Sequence, residues 1–223
     1  MLKYLIKFLN NKYLDYFLNN GLYMNSVDYF THLKDTSNQG DKYEGLAIAP
    51  PQKYNNFSKN RTKPIWCCVG VDESDITCGI FKIDSRVIKD FCNNSIEDGV
   101  IAIIDYEKFI SMLHEYKDEY EMIYGSVNYI DLKAKSFDLF MSKYWYDVLF
   151  IKDSRFSYQK EFRLAICRNC VAAEKEVTLY HIKTTIIDSY LPYEYKLPNL
   201  KKISKILQLK DIIQDSQYLY IEL

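Results

Sequence analysis

The chain of 223 residues carries 29 basic against 30 acidic side chains and a net charge of -1, so it lacks the basic excess of a general nucleic-acid-binding protein. An apolar fraction of 48% is ample for the core of one domain, and no apolar run approaches the length that spans a bilayer. The skew towards Tyr (21) and Phe (12) over Gly (7) is what an AT-rich coding sequence produces, so most tyrosines are read as ordinary residues.

The start, Met1 to Phe8, is broken by Lys3 and Lys7 and has no small-residue cleavage site, so no secretory leader is expected. A cytoplasmic location with reduced thiols is the corresponding expectation. Tyr4 to Leu9 predicts a strand, and Asn10-Asn11 reads as a break and helix cap. Tyr13, Leu14, Phe17 and Leu18 fall at helical spacing and predict a helix over Lys12 to Asn19, stopped by Gly21. Leu22 to Ser26 follows as a short strand. Lys34 to Lys63 is polar, rich in Asn and Lys, and interrupted by Pro50-Pro51; such long connections are usually functional or disordered.

Ile65 to Val71 and Ile76 to Ile83 read as strands joined by the acidic turn Asp72 to Asp75. Asp84 reads as the cap of a helix running to Asn93, with Val87, Ile88 and Phe91 on its apolar face. Val100 to Ile104 is a buried strand by its apolar run. Asp105 caps the clearest helix, through about Glu119, on a stripe of Phe109, Met112, Leu113 and Tyr116. Ser126 to Leu132 alternates as a strand, Phe137 to Tyr146 reads as a helix, and Val148 to Ile151 as extended chain. Gln159 to Cys167, Val177 to Lys183 and Tyr218 to Leu223 predict strands, and Ile203 to Gln214 a helix. The fold class is therefore α+β: a single domain, residues 1–223, with a mixed, mainly antiparallel sheet core, flanking helices and a long polar loop at about 34–64.

Chemistry concentrates in Phe156-Ser-Tyr-Gln-Lys-Glu-Phe-Arg163. In a strand, i and i+2 share a face, so Gln159 and Glu161 would project together, with Phe162 and Leu164 opposite. An amide beside a carboxylate suits the holding of a polar ligand. The plain alternative is that Glu161 pairs with Arg163 or Arg155. Gly40-Asp-Lys-Tyr-Glu-Gly45 presents two carboxylates, Asp41 and Glu44, between glycines that permit sharp turns, and is equally readable as a solvated turn.

Of six cysteines, Cys167-Arg-Asn-Cys170 forms a lone C-x-x-C with no second pair, and the three histidines are scattered, so no metal is expected. Trp66 and Trp145 read as core. The aromatic group Phe140, Tyr144, Trp145 and Tyr146 reads as a buried helix face or an exposed protein-binding patch. Five lysines between Lys196 and Lys210 read as a solvated helix face. No glycine-rich phosphate loop is present.

The order strand (Leu5 to Leu9), helix (Lys12 to Asn19), glycine, strand (Leu22 to Ser26), then loop-Gln159-x-Glu161-strand, resembles the ADP-ribosyltransferase fold. That resemblance implies NAD as cofactor and Glu161 as the catalytic carboxylate against the nicotinamide ribose, with Gln159 positioning the acceptor. It places Tyr158 and Phe156 in a substrate-recognition loop. Lys7 stands where the family has Arg or His, and Ser26 is the substitute for the family's Ser-Thr-Ser triplet. The segments Asn20-Gly-Leu-Tyr-Met-Asn25, Tyr29-Phe30, Gly40 to Gly45 and Tyr158 to Arg163 are also similar to a group of uncharacterised bacterial and phage proteins of mobile elements. Their residues Tyr23, Asn25, Asp41, Glu44 and Arg163 complete the candidate binding set. The setting this implies is phage defence or counter-defence, either as an NAD-using enzyme or as a non-catalytic inhibitor that binds a host or phage protein.

Overall fold

The computed structural model describes residues 1–32, 62–91, 97–116, 121–131, 146–179 and 182–223. The chain begins with β1 (Leu2–Asn10), in which Leu5 and Ile6 are both fully buried because the strand is covered on both faces. The Asn10 side chain accepts from the Lys12 backbone N–H and turns the chain through a 3₁₀ segment (Asn11–Tyr13) into α1 (Leu14–Asn19). The helix ends at Asn20, whose N–H donates to the Tyr16 carbonyl, and Gly21 follows directly after this cap, where the sequence places the stop. Gly21 also opens β2 (Gly21–Ser26) at a φ of 138°, a conformation that only glycine adopts readily. Then come α2 (Val27–His32), β3 (Pro64–Asp72), β4 (Ile76–Thr77), β5 (Ile80–Asp84), α3 (Arg86–Phe91) and β6 (Gly99–Asp105). The middle of the chain supplies α4 (Tyr106–Glu115), β7 (Met122–Ser126), β8 (Asn128–Ile130), β9 (Ile151–Asp153) and β10 (Glu161–Ile166). The last third is strand: β11 (Ala172–Leu179), β12 (Ile182–Tyr190), β13 (Tyr193–Lys196), β14 (Ser204–Gln208), β15 (Ile213–Gln214) and β16 (Tyr218–Glu222).

These elements make the α+β arrangement expected from the sequence, with sheets that are mainly antiparallel. The central sheet has eight strands in the order β13-β2-β3-β1-β6-β14, and β10 and β7 extend it from the other edge of β3. A second sheet, β15-β16-β5-β4, packs with α3 over one face through Phe81, Ile83, Val87, Leu219 and Ile221. The other face of the central sheet is covered by α4, whose Phe109 and Leu113 meet Leu5, Trp66, Phe162 and Leu164. Asp105 caps α4 by accepting from the Lys108 N–H at 3.0 Å. Asp105→Ala is expected to cost about 1 kcal/mol of stability, read as a lower urea midpoint at unchanged slope.

Several predicted elements differ. Ile203 to Gln214 is not a helix: a 3₁₀ turn (Leu200–Ile203) leads into β14, a second 3₁₀ turn (Leu209–Asp211) and β15. Pairing of β14 with β6, from Ser204↔Ile104 to Gln208↔Val100, overrides the helical spacing of the isoleucines and leucines. Ile76 to Ile83 is a hairpin of β4 and β5, turning through Cys78 and Gly79 at positive φ. Of Ser126 to Leu132, Ser126 ends β7 and Asn128–Ile130 form the separate β8, while Leu132 lies outside the described residues. Val148 to Ile151 is largely a 3₁₀ turn (Asp147–Phe150), with the strand starting at Ile151. Val177 to Lys183 is not one strand: it is shared between the end of β11 and the start of β12, which pair with each other, and Tyr180 and His181 lie outside the described residues. The strand predicted from Gln159 begins only at Glu161. The polar loop up to Arg61, with Asp41 and Glu44, and Phe137 to Trp145 lie outside the described residues.

Candidate functional site

Strand β3 shares one of its edges between two partners. β1 pairs with its end, from Leu2↔Asp72 to Ile6↔Val69, and β2 with its start, at Asn25↔Ile65 and Ser26↔Pro64. Where β1 and β2 part, the Lys7 ammonium donates to the Cys67 carbonyl at 2.6 Å, 5.2 Å from the centre of the Trp66 ring. A cleft of about 790 Å³ opens in this fork, within the range of small-molecule and cofactor sites. Its described lining holds three lysines (Lys7, Lys12, Lys152) against two glutamates (Glu161, Glu194), a local positive excess in a chain of net charge -1.

Beside the cleft, on the far edge of β3, lies a buried charge cluster. Asp153 caps the 3₁₀ turn Ser154–Gln159 by accepting from the Arg155 N–H, and Lys160 at a φ of 43° reverses the chain into β10. Gln159 and Glu161 thus reach the same cleft through a turn rather than as neighbours on one strand face. Alternation does hold from Glu161 onwards, since Phe162 and Leu164 enter the core on the α4 side. Glu161 is 3% exposed, Arg163 0% and Lys152 4%. Arg163 Nε donates to Glu161 Oε1 at 2.9 Å, and Arg163 Nη2 and Lys152 Nζ each donate to Oε2 at 3.1 Å. Arg163 Nη1 donates to the Leu149 carbonyl, and the Glu161 backbone N–H donates to the Tyr129 hydroxyl.

Burial alone would raise the Glu161 pKa, but Arg163 and then Lys152 outweigh it, helped by a hydrogen bond from the Cys67 thiol. The carboxyl is held well below the usual glutamate range and is ionised at any ordinary pH. Burial, then the Glu161 charge, push the Tyr129 phenol up, so it stays a neutral hydroxyl beside the cluster.

At the mouth of the cleft stand Tyr13, Tyr16, Tyr23 and Tyr29 with Glu194. Burial and a hydrogen bond to Glu194 push the Tyr16 phenol up to about 12. Burial, then the neighbouring phenols Tyr29 and Tyr13, raise Tyr23.

Of the residues singled out from sequence, Lys7, Tyr23, Asn25, Gln159 and Glu161 line this one cleft. Arg163 stands behind Glu161 as its ion-pair partner. Phe156 packs 5.1 Å from the Lys152 ammonium, and Tyr158 lies under the Arg86 guanidinium at 3.9 Å, away from the lining. Ser26 is buried and accepts from the Tyr29 N–H at the start of α2. Sequence reasoning missed Lys152 and Glu194. A lysine directly following the apolar run Val148 to Ile151 was a usable signal for the first; Glu194 gave none.

Cys167 and Cys170 are raised by burial, Cys170 to about 11, and remain thiols. Among the described residues no three His, Cys, Asp or Glu side chains gather into a metal-binding group, and no helix is long and apolar enough to cross a membrane. Comparison with protein-family models, curated proteins and solved structures yields no match.

Proposed function

We propose that the cleft binds NAD and that the protein is an ADP-ribosyltransferase-like enzyme, acting in phage defence or counter-defence. The observation that carries this is Glu161: an ionised carboxylate fixed on the wall of a dinucleotide-sized cleft that otherwise carries excess positive charge. The lysines suit the pyrophosphate, and the aromatic mouth suits a ring. In the reaction the C1′–N bond to nicotinamide breaks and its electron pair leaves with neutral nicotinamide. Positive charge then grows on the ribose, where a carboxylate that needs no reorganisation stabilises the transition state more than the ground state. An acceptor or water forms the new bond at C1′ and loses its proton to solvent. Gln159, also on the cleft wall, offers an amide to the acceptor without adding charge.

A non-catalytic role, binding a host or phage protein, is favoured by a different observation. The Glu161 carboxylate already has both oxygens engaged by Arg163 and Lys152, as in a purely structural ion cluster.

Titration of the purified protein with NAD separates the two. Saturable binding with a rise in melting temperature is expected, weakened about tenfold or more by Lys7→Met through loss of a charged contact. A folded wild-type protein with no calorimetric signal and no thermal shift at millimolar NAD would overturn the enzyme and leave the binding protein.

A further inference from the structure

Glu194 and Tyr23 are direct cross-strand partners of β13 and β2, so their side chains stand on one face of the pair, while the neighbouring Tyr195 is buried in the core. That face is the mouth of the cleft. Tyr23 is 52% and Tyr29 48% exposed, so both present ring surface, and Phe30 holds Tyr29 edge-on at 5.3 Å between ring centres. The Lys12 ammonium sits 4.7 Å above the Tyr13 ring. Tyr16 stands near enough to Glu194 for that side chain to raise its phenol. A carboxylate offers about four lone-pair sites, room for a ligand donor as well.

We propose that this mouth is the base subsite of the cleft, in which Tyr23 and Tyr29 stack a purine and Glu194 accepts from its exocyclic amine. The inference rests on the cleft being an NAD site and adds what selects the base. Open tyrosine faces stack any base, whereas a carboxylate set opposite Tyr23 discriminates: it accepts from the 6-amino group of adenine and repels the carbonyl oxygen that replaces it in hypoxanthine. Lys7, half-buried at the fork beside the Cys67 carbonyl, then falls on the phosphate side, which sets the direction of the ligand, base outward and nicotinamide ribose towards Glu161.

Binding of NAD and of nicotinamide hypoxanthine dinucleotide is measured by calorimetry on wild type, Glu194→Gln and Tyr23→Ala. Both positions are exposed, so the variants are expected to fold. Wild type should prefer NAD by about tenfold, the scale of one charge-assisted hydrogen bond. Glu194→Gln should shrink that preference while keeping hypoxanthine binding. Tyr23→Ala should weaken both ligands alike, by about tenfold for a lost stacking face. Equal binding of the two dinucleotides by wild type, or a preference untouched by Glu194→Gln, overturns the base subsite while leaving the NAD site standing. Failure of wild type to bind either one overturns both.

Discussion

Glu161→Gln is expected to destabilise the fold by about 3–5 kcal/mol, far more than a typical polar substitution. The change keeps size and shape but leaves Arg163 and Lys152, both almost fully buried, without the negative charge that holds them. Chemical unfolding followed by circular dichroism would show it as a lower midpoint at unchanged slope. Adding Lys152→Met and Arg163→Met to Glu161→Gln should restore much of the loss, because the two buried cations left without a counter-charge are then gone. The pH dependence follows in sign. Because the folded-state pKa is depressed, the Glu161 contribution is complete above the ordinary glutamate value of 4.5 and is lost as pH falls below it. Wild type should therefore weaken below that pH through this group, and the triple variant should lack that component. An inactive Glu161→Gln protein thus says little about catalysis by itself, whereas Glu161→Asp keeps the charge and the fold.

Gly21→Ala is expected to cost about 3 kcal/mol or more, combining positive-φ strain with overpacking. A Cβ at Gly21 would collide with the Tyr195 carbonyl oxygen and lie 2.5 Å from the Leu197 nitrogen, both backbone atoms that no rotamer change can move aside. Relief requires β2 and β13 to separate, although Tyr195 and Leu197 are core residues. Since Tyr23 and Glu194 face each other across that pair, the loss should reach ligand binding as well as the melting temperature. A Gly21→Ala protein with wild-type stability would show that the strands part without penalty.

Much of the fold was legible because its signals are local. The apolar run of β6, the Asn10 break and the Asp105 cap each specify their element within a few residues. Ile203 to Gln214 was misread because its strand character comes from pairing with β6, about a hundred residues away in sequence, as tertiary context can override local propensity. The site was half legible. Gln159 and Glu161 were found from a strand rule, yet the turn at Lys160 is what brings them to one cleft. Pairing of Glu161 with Arg163 was foreseen as its plain alternative and is present, together with a cleft beside it. Lys152 meets Glu161 only because the turn following β9 folds back onto β10, and Glu194 meets Tyr23 only through β13–β2 pairing. Neither meeting has a signature in sequence spacing.

The most direct test of the proposal that the cleft cleaves NAD is the time course of nicotinamide release from NAD by wild type and by Glu161→Asp. Wild type should release nicotinamide. The shorter carboxylate should retain the ion cluster and the KM within a few fold, while kcat falls about a hundredfold from a displacement of about 1 Å. Release at an undiminished rate by Glu161→Asp, or no release by folded wild-type protein, would contradict the role assigned to Glu161.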